Sequence, residues 1–294
     1  MKISDYYKKN KYTFSFEFFP PKNDTGEKKL FEAVRELKIL SPSFISVTYG
    51  AMGTTRNNTI GLVKRIKSDI GIESAAHLSC IAHTKQEIEA ILAELVSDGI
   101  ENIVALRGDI PQDQPDFKSP ENGFRYAADL VRYIRQHPKY GNQFTIAVAG
   151  HPECHIECTD KEKDLEHLRM KVAEGADIVI TQLFFSNHDY FDFVSRCRAV
   201  GISLPIVPGI MPITNGAQIQ KFTRVCGAKL PAKIQNAIFR YGDDQASIEA
   251  FGTDYAITQC EELLRKGAPG LHFYTLNKST ATRKIFRSLN LSGV

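Results

Sequence analysis

Short apolar runs alternate with longer amphipathic ones along nearly the whole chain. The short runs are Tyr12–Phe18, Phe44–Thr48, Ser74–Cys80, Asn102–Leu106, Phe144–Ala149, Ile178–Leu183, Leu204–Pro208 and Leu271–Leu276. They read as strands. Between them, "EKKLFEAVRELKIL" places Leu30, Phe31, Val34, Leu37 and Ile39 on one side of a helix. "TKQEIEAILAELVSDG" has Ile88, Ile91, Leu92 and Leu95 in helical phase, with Gly99 as a C-terminal stop. "DKEKDLEHLRMKVAEGA" and "NGAQIQKFTRVCGA" repeat that logic. Strand and helix in regular alternation predict parallel strands joined by βαβ crossovers, and eight strands are what a (β/α)8 TIM barrel requires.

Pro111–Asn122 is polar and proline-containing, and is expected to be a long loop after the fourth strand. Pro231–Lys266 holds no clear strand and predicts extra helices before the last one. No Gly/Ser-rich linker, tandem repeat or low-complexity tract divides the chain. At about 150 residues per domain, 294 residues suggest two domains, yet barrels of about 250 residues form one. A single barrel over residues 1–294 is therefore the expected organisation.

Composition narrows the function. A hydrophobic content of 43% with 24% charged residues fits a soluble globular protein, and a net charge of +3 without a Lys/Arg block argues against nucleic acid as a partner. "MKISDYYKKN" does not lead into an apolar signal-type segment, and no uncharged run reaches the ~18 residues that span a bilayer, so a cytoplasmic, membrane-free protein is expected. Cys80, Cys154, Cys158, Cys197, Cys226 and Cys260 form no disulfide framework and read as free thiols.

In a barrel of this kind the active site collects at the C-terminal ends of the strands. Those ends carry Glu17; Thr48, Tyr49 and Gly50; His77; Arg107, Gly108 and Asp109; Gly150 and His151; Gln182; and Pro208 and Gly209. Any one of them reads as a cap or turn, and Arg107 and Asp109 as an intra-loop ion pair; the set has weight only if the barrel brings it to one mouth. In "KYTFSFEFFPPK", Glu17 is flanked by Phe14, Phe16, Phe18 and Phe19, and desolvation among them is expected to raise its pKa. "HPECHIEC" offers His151, Cys154, His155 and Cys158, but its spacing matches neither H-E-x-x-H nor paired C-x2-C, so no metal is expected. G-x-G-x-x-G, Walker A and G-x-S-x-G patterns are absent.

Seven blocks in order, "FSFEFFPPK", "SVTYGA", "AAHLSC", "NIVALRGD", "DIVITQLFF", "IVPGIMPI" and "LHFYTLN", run from residue 14 to residue 277, and together the chain resembles the methylenetetrahydrofolate reductases. The resemblance implies a barrel that binds FAD non-covalently and uses NADH, or NADPH, to reduce 5,10-methylenetetrahydrofolate to 5-methyltetrahydrofolate for methionine synthesis. It implies a ping-pong order and a homo-oligomer, and is to the short bacterial form that consists of the catalytic module. By it, Glu17 is the proton donor and Asp109 lies between flavin and pterin. Thr48, Tyr49, Ala51, His77, Arg107, Gly108, Asp109, Tyr126, Ala127, His151, His155, Asp164 and Lys171 would hold FAD. Gln182, Gln218, Phe222 and Lys278 would contact folate or nicotinamide. His151 stands where bacterial relatives often carry Tyr, and Lys278 where relatives can carry Arg, whose bidentate fork Lys lacks.

Two other classes compete with this reading: a metal-dependent barrel hydrolase using His77, His151, His155 and Asp109, and a folate- or flavin-binding protein without activity. Metal analysis and the colour of the purified protein separate them.

Overall fold

The computed structural model describes residues 1–49, 56–109 and 116–289. Gly50, Ala51 and residues 110–115, the latter including the start of the predicted long loop, lie outside them. The strands are β1 (Thr13–Phe18), β2 (Phe44–Val47), β3 (Ser74–Ser79), β4 (Asn102–Leu106), β5 (Thr145–Gly150), β6 (Ile178–Thr181), β7 (Ile206–Val207), β8 (Gly209–Ile210) and β9 (Gly270–Tyr274). All pairings are parallel, in the order β7-β6-β5-β4-β3-β2-β1-β9-β8.

The eighth expected run is β9, and the seventh is β7 and β8 with Pro208 between them. Pro208 has no N–H to give a ladder, so pairing switches there. β7 bonds to β6, and β8 bonds to β9. His272 N–H donates to Pro208 O at 3.0 Å, and Gly209 N–H to Thr181 Oγ1 at 2.9 Å. A Cβ at Gly209 would lie 2.3 Å from Thr181 O and 2.7 Å from the Tyr274 ring. Only glycine permits that approach, and it lets the bent seventh position complete the ring of a TIM-type barrel.

The helices are α1 (Ser4–Lys9), α2 (Asp24–Lys38), α3 (Arg56–Arg65), α4 (Lys85–Ser97), α5 (Ala127–Gln136), α6 (Lys161–Ala173), α7 (Asn187–Ala199), α8 (Gly216–Cys226), α9 (Ala232–Tyr241), α10 (Gln245–Arg265) and α11 (Thr280–Ser288). The expected extra helices before the last strand are α9 and α10. α3 runs on into a π-helical turn, Ile66–Ile70. α4 starts on a capping box of Thr84 and Glu87, and Gly99 follows it at φ 70°. On α2, Leu30, Phe31, Val34 and Leu37 are buried as expected, but Ile39 is 61% exposed. It caps the C-terminus of α2, past the last helical residue that faces the sheet.

Strand alternation divides the core in two. Phe14, Phe16, Phe18, Ile45, Val47 and Phe273 point outward and pack with α2, α4 and the other surrounding helices. Each fully buried phenylalanine contributes roughly 1.5–3 kcal/mol. Phe44, Ala75, Val104, Ala147, Ile178 and Val207 point inward and pack with Ile3, Tyr6 and Tyr7, so the N-terminal segment and α1 close the bottom of the barrel.

Candidate active site

Glu17 lies one residue from Phe16 and Phe18 in sequence but on the opposite face of β1. The phenylalanines pack against the helices, and Glu17 points into the barrel with Ser15. The expected aromatic surroundings are therefore not there, and neither is the raised pKa. Glu17 Oε2 is 3.2 Å from His272 Nε2 and 3.2 Å from His77 Nε2, the second contact without hydrogen-bond geometry. Ser46 Oγ lies at 3.5 Å from the same oxygen. Burial favours the neutral acid, but His77 and His272 outweigh it and bring Glu17 down to about 2. The carboxyl is an anion held by imidazoles.

His272 is itself fully buried, with Nδ1 2.7 Å from Ser15 Oγ. Its Nε2–H donates to Glu17, and its Nδ1 shares a hydrogen bond with the Ser15 hydroxyl. The parallel register sets this chain of contacts: β1 and β9 pair Ser15 with His272 and Glu17 with Tyr274. Tyr274 donates to Thr181 O at 2.7 Å; burial, and then the Glu17 charge, hold its phenol well above the usual range.

A second group of side chains gathers where β4 and β5 end. Arg107 donates to Glu157 through two nitrogens, at 2.7 and 2.6 Å, so its partner is Glu157 and not Asp109 in its own loop. His151 and His155 meet edge to face at 4.7 Å. Asp164 accepts from His155 N–H at 3.1 Å and lies 3.8 Å from His151 Nδ1, beyond hydrogen-bond reach. Burial, with Lys171 and His155 adding to it, pushes the His151 imidazole well below its usual range, so it is neutral. Lys171 Nζ donates to Ala149 O at 2.5 Å; burial pulls its ammonium down to about 8, against the opposing charge of Asp164. Gly108 has φ 89°, and a Cβ there would lie 1.8 Å from Ser79 Oγ. Two facing imidazole rings, two cations and a strand end stripped to glycine suit a flat heteroaromatic group that carries phosphates. Both cations are already engaged by protein partners, so an anion would share or replace those contacts.

The other expected cofactor residues that the structure describes lie around this rim. Thr48 is half-buried and its carbonyl accepts from Thr59 Oγ1 at 2.9 Å. Tyr49 OH is 2.9 Å from His83 Nε2. Tyr126 is 51% exposed and precedes α5, whose first residue, Ala127, is buried. Ala51 lies outside the described residues.

Asp109 is exposed, and its charge adds to burial in raising the Cys226 thiol to about 11. The loop after β4 thus faces α8, where Gln218, Phe222 and Cys226 succeed one another at one-turn spacing. Phe222 is half-buried against the cluster of Leu183, Phe185, Met211 and Ile219. Gln182 caps β6, and its Oε1 accepts from Leu183 N–H at 2.9 Å, so that oxygen is engaged within the chain. Lys278 is exposed beside a cavity of about 140 Å³ that Thr214, Gln245, Glu249 and Tyr274 also line. Among the described residues, no three His, Cys, Asp or Glu side chains are placed to hold a metal ion, and no helix is long and apolar enough to cross a membrane.

Sequence reasoning overlooked His272, Ser15 and Glu157. Period-2 spacing puts Ser15 on the face of Glu17, and closing the barrel puts "LHFY" beside "FSFEF"; together those two signals lead to His272. Nothing in the sequence marks Glu157 as the partner of Arg107.

The model for the family described as "Methylenetetrahydrofolate reductase" matches residues 2–290. The "Methylenetetrahydrofolate reductase (NADH) 1" of Arabidopsis thaliana is 38% identical over 99% of this chain, but this chain spans about half of it, 50%. The "5,10-methylenetetrahydrofolate reductase" of Escherichia coli strain K12 is 38% identical over 94% of this chain and 90% of its own length. A solved structure from Clostridium thermocellum, described as an uncharacterized protein that binds two copies of 5-methyl-5,6,7,8-tetrahydrofolic acid, has a TM-score of 0.66 over 98% of this chain and 97% of that one. At 14% identity that likeness concerns the fold alone. On the match of residues 2–290 to the family model and on its identity to the bacterial and plant proteins, the chain belongs to the methylenetetrahydrofolate reductase family.

Proposed function

We propose that this chain, acting as one catalytic barrel, reduces 5,10-methylenetetrahydrofolate to 5-methyltetrahydrofolate with non-covalently held FAD and NADH as reductant, for methyl groups that go on to methionine. The observation that carries this is the Glu17 carboxylate in the barrel mouth between His77 and His272. FAD, when bound, would take a hydride from the nicotinamide and give it to the exocyclic methylene of the folate in a second, separate encounter.

Folate chemistry needs a proton at the bridging amine before its five-membered ring opens. Glu17 at about 2 is a poor acid alone, so the proton is held by the carboxylate and its imidazoles as a unit. An amine that approaches Glu17 takes the proton through it, and His272 and Ser15 adjust their hydrogen bonds in turn. This revises the expectation that desolvation among phenylalanines arms Glu17. Ring opening leaves a cation, which the exposed carboxylate of Asp109 is suited to steady. Gln182, Gln218, Phe222 and Lys278 are assigned to the shared folate and nicotinamide side. Thr48, Tyr49, Ala51, His77, Arg107, Gly108, Tyr126, Ala127, His151, His155, Asp164 and Lys171 are assigned to FAD. The protein is taken to work in the cytoplasm as a homo-oligomer.

Stopped-flow measurement of the two half-reactions tests the assignment. Glu17→Gln retains the yellow cofactor and its reduction by NADH, which needs no acid, and loses folate reduction by a factor of at least ~10². Normal folate turnover in that variant sinks the role of Glu17. A colourless protein that takes up no FAD sinks the whole reading.

A further inference from the structure

The loop between β5 and α6 carries two thiols that the proposed reaction does not use. Cys154 and Cys158 are separated by a reversal in which Cys158 N–H donates to His155 O at 2.8 Å. The reversal brings Cys154 Sγ to 2.8 Å from the Cys158 carbonyl oxygen, to which it donates. After burial and the Asp164 charge, Cys158 is the next neighbour that raises the Cys154 thiol. Cys158 Sγ donates to Asp160 O at 3.2 Å, and both residues are half-buried free thiols, so small reagents reach them. Cys154 has φ 115°, a conformation that favours glycine and that few side-chain-bearing residues adopt. Strained residues of this sort persist where the surroundings fix them, at switches among other places. The chain between the two cysteines also carries His155 and Glu157, and Glu157 is the partner of Arg107.

We propose that Cys154 and Cys158 are a reversible dithiol–disulfide pair which couples the thiol redox state of the surroundings to the loop that carries His155 and Glu157. The oxidant is a small-molecule disulfide. The Cys158 thiolate attacks one of its sulfurs, forms a mixed disulfide and expels a thiolate. Cys154 then gives up its proton and attacks the Cys158 sulfur, and the second thiolate leaves. The two protons given up by the protein end on the two departing thiols, so two protein thiols are oxidised as one disulfide is reduced. Cys158 Sγ meets the exposed Asp160 carbonyl, whereas Cys154 Sγ is turned back onto the part-buried Cys158 carbonyl, which assigns the first attack to Cys158 and the resolving step to Cys154; burial and the neighbouring Asp164 charge also hold the Cys154 thiol up at about 11. A bond between the sulfurs pulls Cys154 off the Cys158 carbonyl and re-aims the segment between them, and with it the carboxylate that pairs with Arg107. That consequence for the cofactor rests on the FAD reading above; the disulfide does not.

The test equilibrates the full-length protein, reduced beforehand, with mixtures of reduced and oxidised glutathione, blocks free thiols with iodoacetamide and weighs the peptides. The peptide that holds both cysteines is expected to lose two hydrogens and escape alkylation in oxidising mixtures, and dithiothreitol is expected to restore it. Cys154→Ser removes the resolving thiol, and Cys158 is then expected to accumulate bound glutathione. A stable glutathione adduct on the unsubstituted protein, or two thiols that stay alkylatable in every mixture, overturns the pair. Oxidised protein is expected to release FAD several-fold more readily than reduced protein. Equal retention overturns the coupling, whereas failure of the reduced protein to hold FAD overturns the cofactor reading and leaves the peptide masses to judge the disulfide.

Discussion

Asn277 brackets Phe19: its Oδ1 accepts from Phe19 N–H at 2.9 Å and its Nδ2 donates to Phe19 O at 2.8 Å. The carboxamide acts as a piece of neighbouring strand for the first residue beyond β1, two places after Glu17. Asn277 itself sits at φ 58°, where Asn is among the better-tolerated residues.

Asn277→Ala removes both contacts and leaves the left-handed backbone to a residue that disfavours it. A loss of about 1 kcal/mol per hydrogen bond is expected, roughly 2 kcal/mol in a denaturant melt. Asn277→Gly keeps the backbone and loses only the bonds, so it is expected to be the more stable of the two. A melt in which Ala equals the unsubstituted protein removes the bracket from the account of how β1 is held.

Glu17 gives a signed pH dependence. Its folded pKa is lowered from 4.5 to about 2, so its ionisation adds stability that is fully present above pH 4.5 and is lost as pH falls through about 2. The melting temperature of the unsubstituted protein minus that of Glu17→Gln is therefore expected to be largest above pH 4.5 and to shrink between there and pH 2. A difference that grows on acidification contradicts the two-imidazole arrangement.

Gly108→Ala introduces a Cβ 1.8 Å from Ser79 Oγ at a φ of 89°. Ser79 Oγ now donates to Arg107 O at 3.0 Å, so relief of the clash breaks that bond. A loss of roughly 1–3 kcal/mol and weaker cofactor retention are expected. Ser79→Ala in the same protein is expected to recover part of the stability, because the steric share of the cost goes while the backbone share stays. Full recovery in a thermal melt means the positive φ costs nothing.

Phe222→Ala separates a ligand platform from a core residue. Phe222 is half-buried, so packing alone predicts a loss of roughly 1.5–2.5 kcal/mol, about half of that for a fully buried phenylalanine. As a platform its removal is expected also to raise the apparent KM for both nicotinamide and folate. A melt that shifts by this amount while both half-reactions keep their KM values leaves Phe222 as packing.

The strand and helix pattern was legible wherever burial imposed a period. Four apolar positions of α4 recur at helical spacing because one side faces the sheet. The misreadings arose where the pattern ran out. Ile39 is apolar yet exposed, because α2 ends one residue before it. The seventh strand is two pieces, because Pro208 lacks the donor that would have kept one ladder running. The candidate residues at the strand ends were legible because parallel barrels put all such ends on one side, and Glu17, His77 and Gln182 belong to that end of the barrel.

By itself the sequence determined the alternation of elements, the barrel and, through seven ordered blocks, the family. Those depend on local periodicity and on residue order, which a linear reading preserves. Only the tertiary structure decided what each polar side chain meets. Phe16 and Phe18 are the nearest sequence neighbours of Glu17, yet the strand sends them to the other face, while His272, 255 residues away, supplies its hydrogen bond across the β1–β9 ladder. Arg107 was bound to find a carboxylate, and the fold chose Glu157 over Asp109 by bringing the β5–α6 loop across it. Protonation follows contact distance, and contact distance across a closed barrel is fixed by register, which no stretch of the chain carries alone.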